Sequence, residues 1–87
     1  MPDDKSPTMH AKVYAPFKVY FDGQAASVSA SNELGAFDVL PRHQNFITLL
    51  RSGDLTVRAS GKQEFKMPIN KGVMHVKSDE VRVFLDV

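Results

Sequence analysis

Residues 53–86 read GDLTVRASGKQEFKMPINKGVMHVKSDEVRVFLD, and this stretch decides the fold. Leu55, Val57 and Ala59 alternate with Thr56, Arg58 and Ser60. Phe65, Met67 and Ile69 alternate with Glu64, Lys66 and Asn70, with Pro68 marking an edge strand or a bulge. Met74 and Val76 form a core pair, and Val81, Val83 and Leu85 lie opposite Arg82, Phe84 and Asp86. Period two is the signature of a strand with one buried face. Turn residues separate the runs at Ser52-Gly53-Asp54, Ser60-Gly61-Lys62, Asn70-Lys71-Gly72 and Ser78-Asp79-Glu80. Four short strands with turns every eight to ten residues predict a β-sandwich or barrel.

The pattern extends toward the N-terminus. Lys12-Val13-Tyr14-Ala15 is a β-prone run stopped by Pro16, and Phe17, Val19 and Phe21 alternate after it. Asp22-Gly23 then carries the strongest hairpin signal, with a returning strand in which Ala26, Val28 and Ala30 face one way and Ser27, Ser29 and Ser31 the other. Ala36 to Leu40 is apolar and ends at Pro41. Phe46-Ile47-Thr48-Leu49-Leu50 fits a helical face as well as a buried strand, but the short interval between Pro41 and Gly53 favours the strand. No long amphipathic helical pattern occurs. The expected architecture is all-β: a small flattened sandwich or barrel of eight to ten short antiparallel strands. Residues 1–9 read as a disordered tail and residues 10–87 as one domain.

Composition narrows the function. Eleven Lys and Arg against ten Asp and Glu give a net charge of +1, which argues against a strongly basic nucleic-acid module. The lysines are scattered over separate strands and turns, so no nucleic-acid partner is expected. Cysteine is absent, which removes disulfides, thiol catalysis and thiolate metal sites. No apolar run is long enough to span a bilayer, and the polar start lacks the apolar segment of a signal peptide. His10, His43 and His75 form no His-x-His or His-Glu-x-x-His pair. No nucleophile elbow or phosphate loop appears, and the five glycines all read as turn residues. No catalytic residue, metal or cofactor is therefore expected. Asp79-Glu80 reads as solvated turn charge. Phe84 on a polar face and the apolar stretch 37–50 are the features a pure core reading leaves over, and exposed apolar surface on a small domain marks an interface.

The ordered series Val13-Tyr14-Ala15-Pro16, Asp22-Gly23, Ala26-Ser27-Val28-Ser29-Ala30 and Phe37-Asp38-Val39-Leu40-Pro41-Arg42-His43 resembles the N-terminal β-sandwich domain of the F-type ATP synthase epsilon subunit. Phe46-Ile47-Thr48-Leu49-Leu50 stands where that family has an apolar Leu-Leu-Thr strand after a Gly-x-x-Pro-Gly-His loop. Gly53-Asp54-Leu55-Thr56-Val57, Gly72-Val73-Met74-His75-Val76 and the final Val81 to Asp86 complete the match, from about residue 11 to the end. The chain departs from the family in one loop: Arg42 replaces the glycine before the histidine, Asp38 an earlier glycine, and Ala36 a common acidic residue, with Glu33 nearby.

The resemblance implies a non-catalytic central-stalk subunit. It would bind the gamma subunit and the c-ring and help couple proton or sodium translocation to ATP synthesis. Asp38, Arg42, His43, Phe46 and Thr48 are the implied partner-binding residues. For His43 the alternative is a surface histidine bonded within its own turn, and for Thr48 a strand residue of the sandwich. At least one of Phe46 and Ile47 is expected in the core. The expected location is cytoplasmic and peripheral, on the inner face of the cell membrane within the complex. The family's longer members carry a C-terminal helical hairpin; this sequence stops at Val87, so no hairpin is expected. The alternative function is a free-standing β-sandwich module that binds a peptide or small ligand.

Overall fold

A computed structural model describes residues 8–42, 44–59 and 64–85, which form nine strands and no helix. In chain order they are β1 (Met9–Ala15), β2 (Lys18–Ala25), β3 (Ser27–Asn32), β4 (Gly35–Val39), β5 (Phe46–Leu50), β6 (Gly53–Arg58), β7 (Glu64–Ile69), β8 (Gly72–Lys77) and β9 (Glu80–Leu85). One sheet has five strands in the order β2-β1-β9-β8-β5, and the other has four in the order β4-β3-β6-β7. The all-β sandwich is as the alternation predicts, with one difference. The pair β1–β9 runs parallel, bringing His10 opposite Glu80 and Tyr14 opposite Phe84.

The core lies between the sheets. Val13, Val28, Val39, Leu55, Val57, Met74, Val76, Val81, Val83 and Leu85 are all but sealed from solvent. Each comes from the inward phase of its strand, and β-branched side chains dominate because they suit a pleated, half-buried surface. Aromatic pairs close the two lateral openings. Phe21 on β2 meets Phe65 on β7 at 5.5 Å between ring centres, and Phe37 on β4 meets Phe46 on β5 at 6.3 Å. β7 is an edge strand, consistent with Pro68, which cannot donate to a ladder.

The first hairpin differs from the sequence expectation. Asp22 and Gly23 lie inside β2, opposite Lys12 and Ala11, and the chain turns instead at Pro16-Phe17. Proline fixes the φ that a turn's second residue needs, and this outweighs the Asp-Gly signal. The ladder runs Val13↔Phe21 and then Tyr14↔Val19, so Tyr20 is an extra residue on β2. This bulge breaks the predicted Phe17-Val19-Phe21 face: Phe21 turns inward, while Val19 and Phe17 are exposed. Met9, assigned to the tail by its sequence, opens β1 and is buried. Residues 1–7 and the Ser60-Gly61-Lys62 turn lie outside the described residues.

The four described glycines, Gly23, Gly35, Gly53 and Gly72, all fall within strands, three of them as the first residue. At Gly72 the reason for a glycine is a close approach. A Cβ there would sit 2.6 Å from the Phe84 carbonyl oxygen and 3.1 Å from the Leu85 side chain. Gly35, by contrast, has a φ of 117° at the β3–β4 turn.

The loop from β4 to β5 is tied to the β8–β9 turn. Arg42 N–H donates to Asp79 Oδ1 at 2.8 Å, and Ser78 N–H donates to Asn45 Oδ1 at 2.8 Å. The Asp79 carbonyl also accepts from His10 N–H at 2.9 Å, so one turn holds both the loop and the start of β1. Asp79 is thus a structural acceptor and not merely solvated charge. Arg42 has a φ of 68°, following Pro41, in the pattern of a turn that wants glycine at its third position.

Two stability outcomes follow. Gly72→Ala should destabilise the fold by about 1–3 kcal/mol, since the added methyl meets backbone that cannot yield cheaply. Denaturant unfolding at wild-type stability would show that β9 does not press on this position. Arg42→Gly should stabilise it by about 0.5–1 kcal/mol. The left-handed conformation costs a residue with a side chain about 1–2 kcal/mol, and glycine's unfolded-state freedom offsets about half of the gain. Thermal unfolding measures this, and a lower Tm would contradict it.

Candidate functional site: the outer face of the five-stranded sheet

The two outward faces differ in chemistry. On the four-stranded sheet a polar chain crosses from edge to edge. Ser29 Oγ donates to Asp38 Oδ1 at 2.5 Å, Arg58 Nη1 donates to Ser29 Oγ at 3.1 Å, and Arg58 Nε lies 3.2 Å from Glu64 Oε2. Lys66 and Asp54 pair at 3.7 Å on the same face. Such surface pairs add little stability each, but they make this a face suited to water.

The outer face of the five-stranded sheet carries an apolar row. Register places Leu49 beside Val73, Val73 beside Phe84, Phe84 beside Tyr14, and Tyr14 beside Val19. One residue from each of the five strands therefore lines up across the sheet. Leu49 is 71% exposed, Val19 53%, Phe84 39% and Val73 37%. Tyr14 and Phe84 meet edge to face at 5.3 Å, a geometry that fixes both rings. Ile47, 67% exposed, widens the row at β5. Where Leu49 and Val73 end the row, they line an open groove of about 540 Å³ with Glu33, Arg51 and Lys71.

Charged residues flank the row on the same face. Lys12 Nζ lies 5.2 Å from the centre of the Tyr14 ring. His10 Nε2 contacts Asp22 Oδ1 at 2.5 Å, and its Nδ1 faces Glu80 Oε2 at 3.8 Å. Arg82 pairs with Glu80 at 3.3 Å. An apolar centre with a polar rim is the anatomy of a protein–protein contact. Among the described residues no cluster of histidine and acidic side chains could hold a metal ion.

The residues singled out from the sequence do not converge on this face. Asp38 lies on the opposite face, bonded to Ser29. Arg42 is exposed on the loop, with its backbone held by Asp79. His43 lies outside the described residues. Phe46 is half-buried against Phe37, and the Thr48 hydroxyl accepts from Asn32 Nδ2 of the other sheet at 3.1 Å. Both belong to the inward phase of β5; their neighbours Ile47 and Leu49 project outward. Phe84 stands out in the sequence, and the structure gives it company. Leu49 belongs to the apolar stretch 37–50 that the sequence marks for an interface, whereas Tyr14, Val19 and Val73 join it through cross-strand register, which periodicity does not reveal. The usable signal is that Val73 is out of phase with Met74 and Val76, as Leu49 is with Leu50.

Residues 8–87 match the family model described as the beta-sandwich domain of the ATP synthase Delta/Epsilon chain. The ATP synthase epsilon chain of Brevibacillus brevis is 30% identical over 78 residues, covering 90% of this chain and 59% of the relative. That of Geobacter metallireducens is 35% identical over 71 residues, covering 82% and 51%. The chain thus spans a little over half the length of these curated relatives. Among solved structures, one chain in the Euglena gracilis mitochondrial ATP synthase superposes with a TM-score of 0.83 at 20% identity, over 97% of this chain and 54% of that one. A chain in the central stalk and c-ring of the Tetrahymena thermophila enzyme superposes with a TM-score of 0.78 at 16% identity, over 97% and 67%. The structural likenesses speak for the sandwich, and the sequence match covers it nearly end to end: the chain belongs to the ATP synthase delta/epsilon family and carries that family's β-sandwich domain.

Proposed function

We propose that this chain is a central-stalk subunit of a rotary ATP synthase. It binds the gamma subunit through the outer face of the five-stranded sheet and sits against the c-ring, helping to couple proton or sodium translocation to ATP synthesis. It carries out no bond chemistry itself and lies peripherally on the inner face of the cell membrane as part of the complex. The observation that supports this reading best is the exposed row Leu49-Val73-Phe84-Tyr14-Val19. Apolar surface removed from water contributes about 25 cal/mol per Å², so a row crossing the whole sheet supplies a substantial driving force for association. The sandwich suits a subunit that must transmit rotation, because close-packed interiors deform little under load.

Within this reading Arg42 and His43 are the loop residues offered to the ring. Phe46 and Thr48 act from beneath, by fixing the height of Ile47 and Leu49. Asp38, on the opposite face, would meet a separate part of the assembly.

A calorimetric titration with the gamma subunit of the same source tests the proposal. One-to-one binding is expected. Phe84→Asp should weaken it at least about tenfold, roughly 1.4 kcal/mol or more, as for a desolvated aromatic anchor. Glu64→Gln, on the polar face, should leave it unchanged. A well-folded chain indifferent to gamma would favour the free-standing module, and equal losses from both variants would remove the apolar row from the interface.

A further inference from the structure

The sandwich has four edge strands, and three of them are blunted. β2 carries the Tyr20 bulge together with Lys18 and Asp22. β7 carries Pro68, Glu64 and Lys66. β4 opens on Gly35, at a φ of 117°, and exposes Asp38. These are the devices by which natural sheets discourage pairing at an edge. β5 has none of them. Its sequence Phe46-Ile47-Thr48-Leu49-Leu50 contains no charge, proline or glycine, and it pairs with β8 in unbroken register from Phe46↔Val76 to Leu50↔Gly72. Ile47 and Leu49 stand outward along it, largely exposed. Such an edge is a template for one more strand.

We infer that β5 is a strand-acceptor edge, and that its occupant is an extended partner segment, apolar in alternation and acidic at its ends. The apolar alternation follows from the pleat, since side chains of an added strand on the outward face fall beside Ile47 and Leu49 and lengthen the apolar row. The acidic ends follow from charge. Arg42 precedes β5 and Arg51 follows it; both are exposed, and among the described residues neither guanidinium has a carboxylate partner. The same charges argue against a second copy as occupant. Two β5 edges paired antiparallel about a twofold axis bring the Arg42 end of one chain toward Arg51 of the other, and like charges there oppose the pairing. The inference rests on the edge alone and not on the identity of the stalk partner.

The test uses the full chain and a synthetic peptide with a core of alternating valine and threonine and two glutamates at each end. Backbone amide exchange is followed residue by residue. At saturating peptide, the β5 amides that point away from β8 should exchange at least about tenfold more slowly, as for hydrogen bonds newly closed to solvent. The same peptide with lysine ends should bind at least about tenfold more weakly, and one N-methylated at alternate residues should not bind. Ile47→Lys combined with Leu49→Lys should abolish the effect with unfolding unchanged, since both side chains are largely exposed. Three results would overturn the inference: no binding of the glutamate peptide, binding indifferent to N-methylation, or protection of β5 that grows with chain concentration without peptide. The last would make a second copy the occupant.

Discussion

Everything on the five-stranded sheet depends on the placement of β9 between β1 and β8. It is held by a parallel ladder on one side and an antiparallel ladder on the other. A slip of one residue would turn Val81, Val83 and Leu85 to water and drive Arg82 and Phe84 into the core. Gly72 helps fix that register, because only a residue without a Cβ lets the Phe84 carbonyl approach so closely. The same placement sets Phe84 between Val73 and Tyr14. The packing constraint of the interior and the apolar row of the exterior therefore have a single origin.

The contrast between the two outward faces gives the fold a direction. One face satisfies its polar groups within itself, through Asp38, Ser29, Arg58 and Glu64, and water completes the rest. The other leaves five apolar side chains in line with charge beside them. A small domain has little stability to spare for exposed apolar surface, so an ordered row on one face only is informative about contact. The groove at the Leu49–Val73 end lengthens that surface, and the loop carrying Arg42 lies beyond the other end of β5.

Much of the architecture is legible in the residues themselves. Met74 and Val76, then Val81, Val83 and Leu85, state their inward phase without help, as do Phe65, Met67 and Ile69. The first hairpin is not legible, because Asp22-Gly23 carries the right chemistry at a place where Pro16 has already turned the chain. The bulge at Tyr20 then reverses the face expected for Phe17 and Val19. The site is harder to read than the fold. Phe46 and Thr48 point inward, and the outward residues become a row only through cross-strand register, which pairs Tyr14 with a residue seventy positions later. Local periodicity holds no information about that pairing. Arg42 shows a different limit: its sequence marks a departure from a family pattern, but only the φ of 68° shows that the arginine adopts a conformation suited to glycine.

The parallel pairing of β1 with β9 has a consequence for the order of events in biosynthesis. The chain emerges from its N-terminal end, and β1 can find β2 at once, whereas its other neighbour is the last of the nine described strands to be made. Until then β8 and β5 can form only a separate ribbon, with no bridge to β1. Folds dominated by such distant contacts close slowly, on the order of milliseconds to seconds. During that interval the bare edge of β5 is present before the sheet that supports it, which makes nascent chains interrupted short of β9 the species most exposed to mispairing.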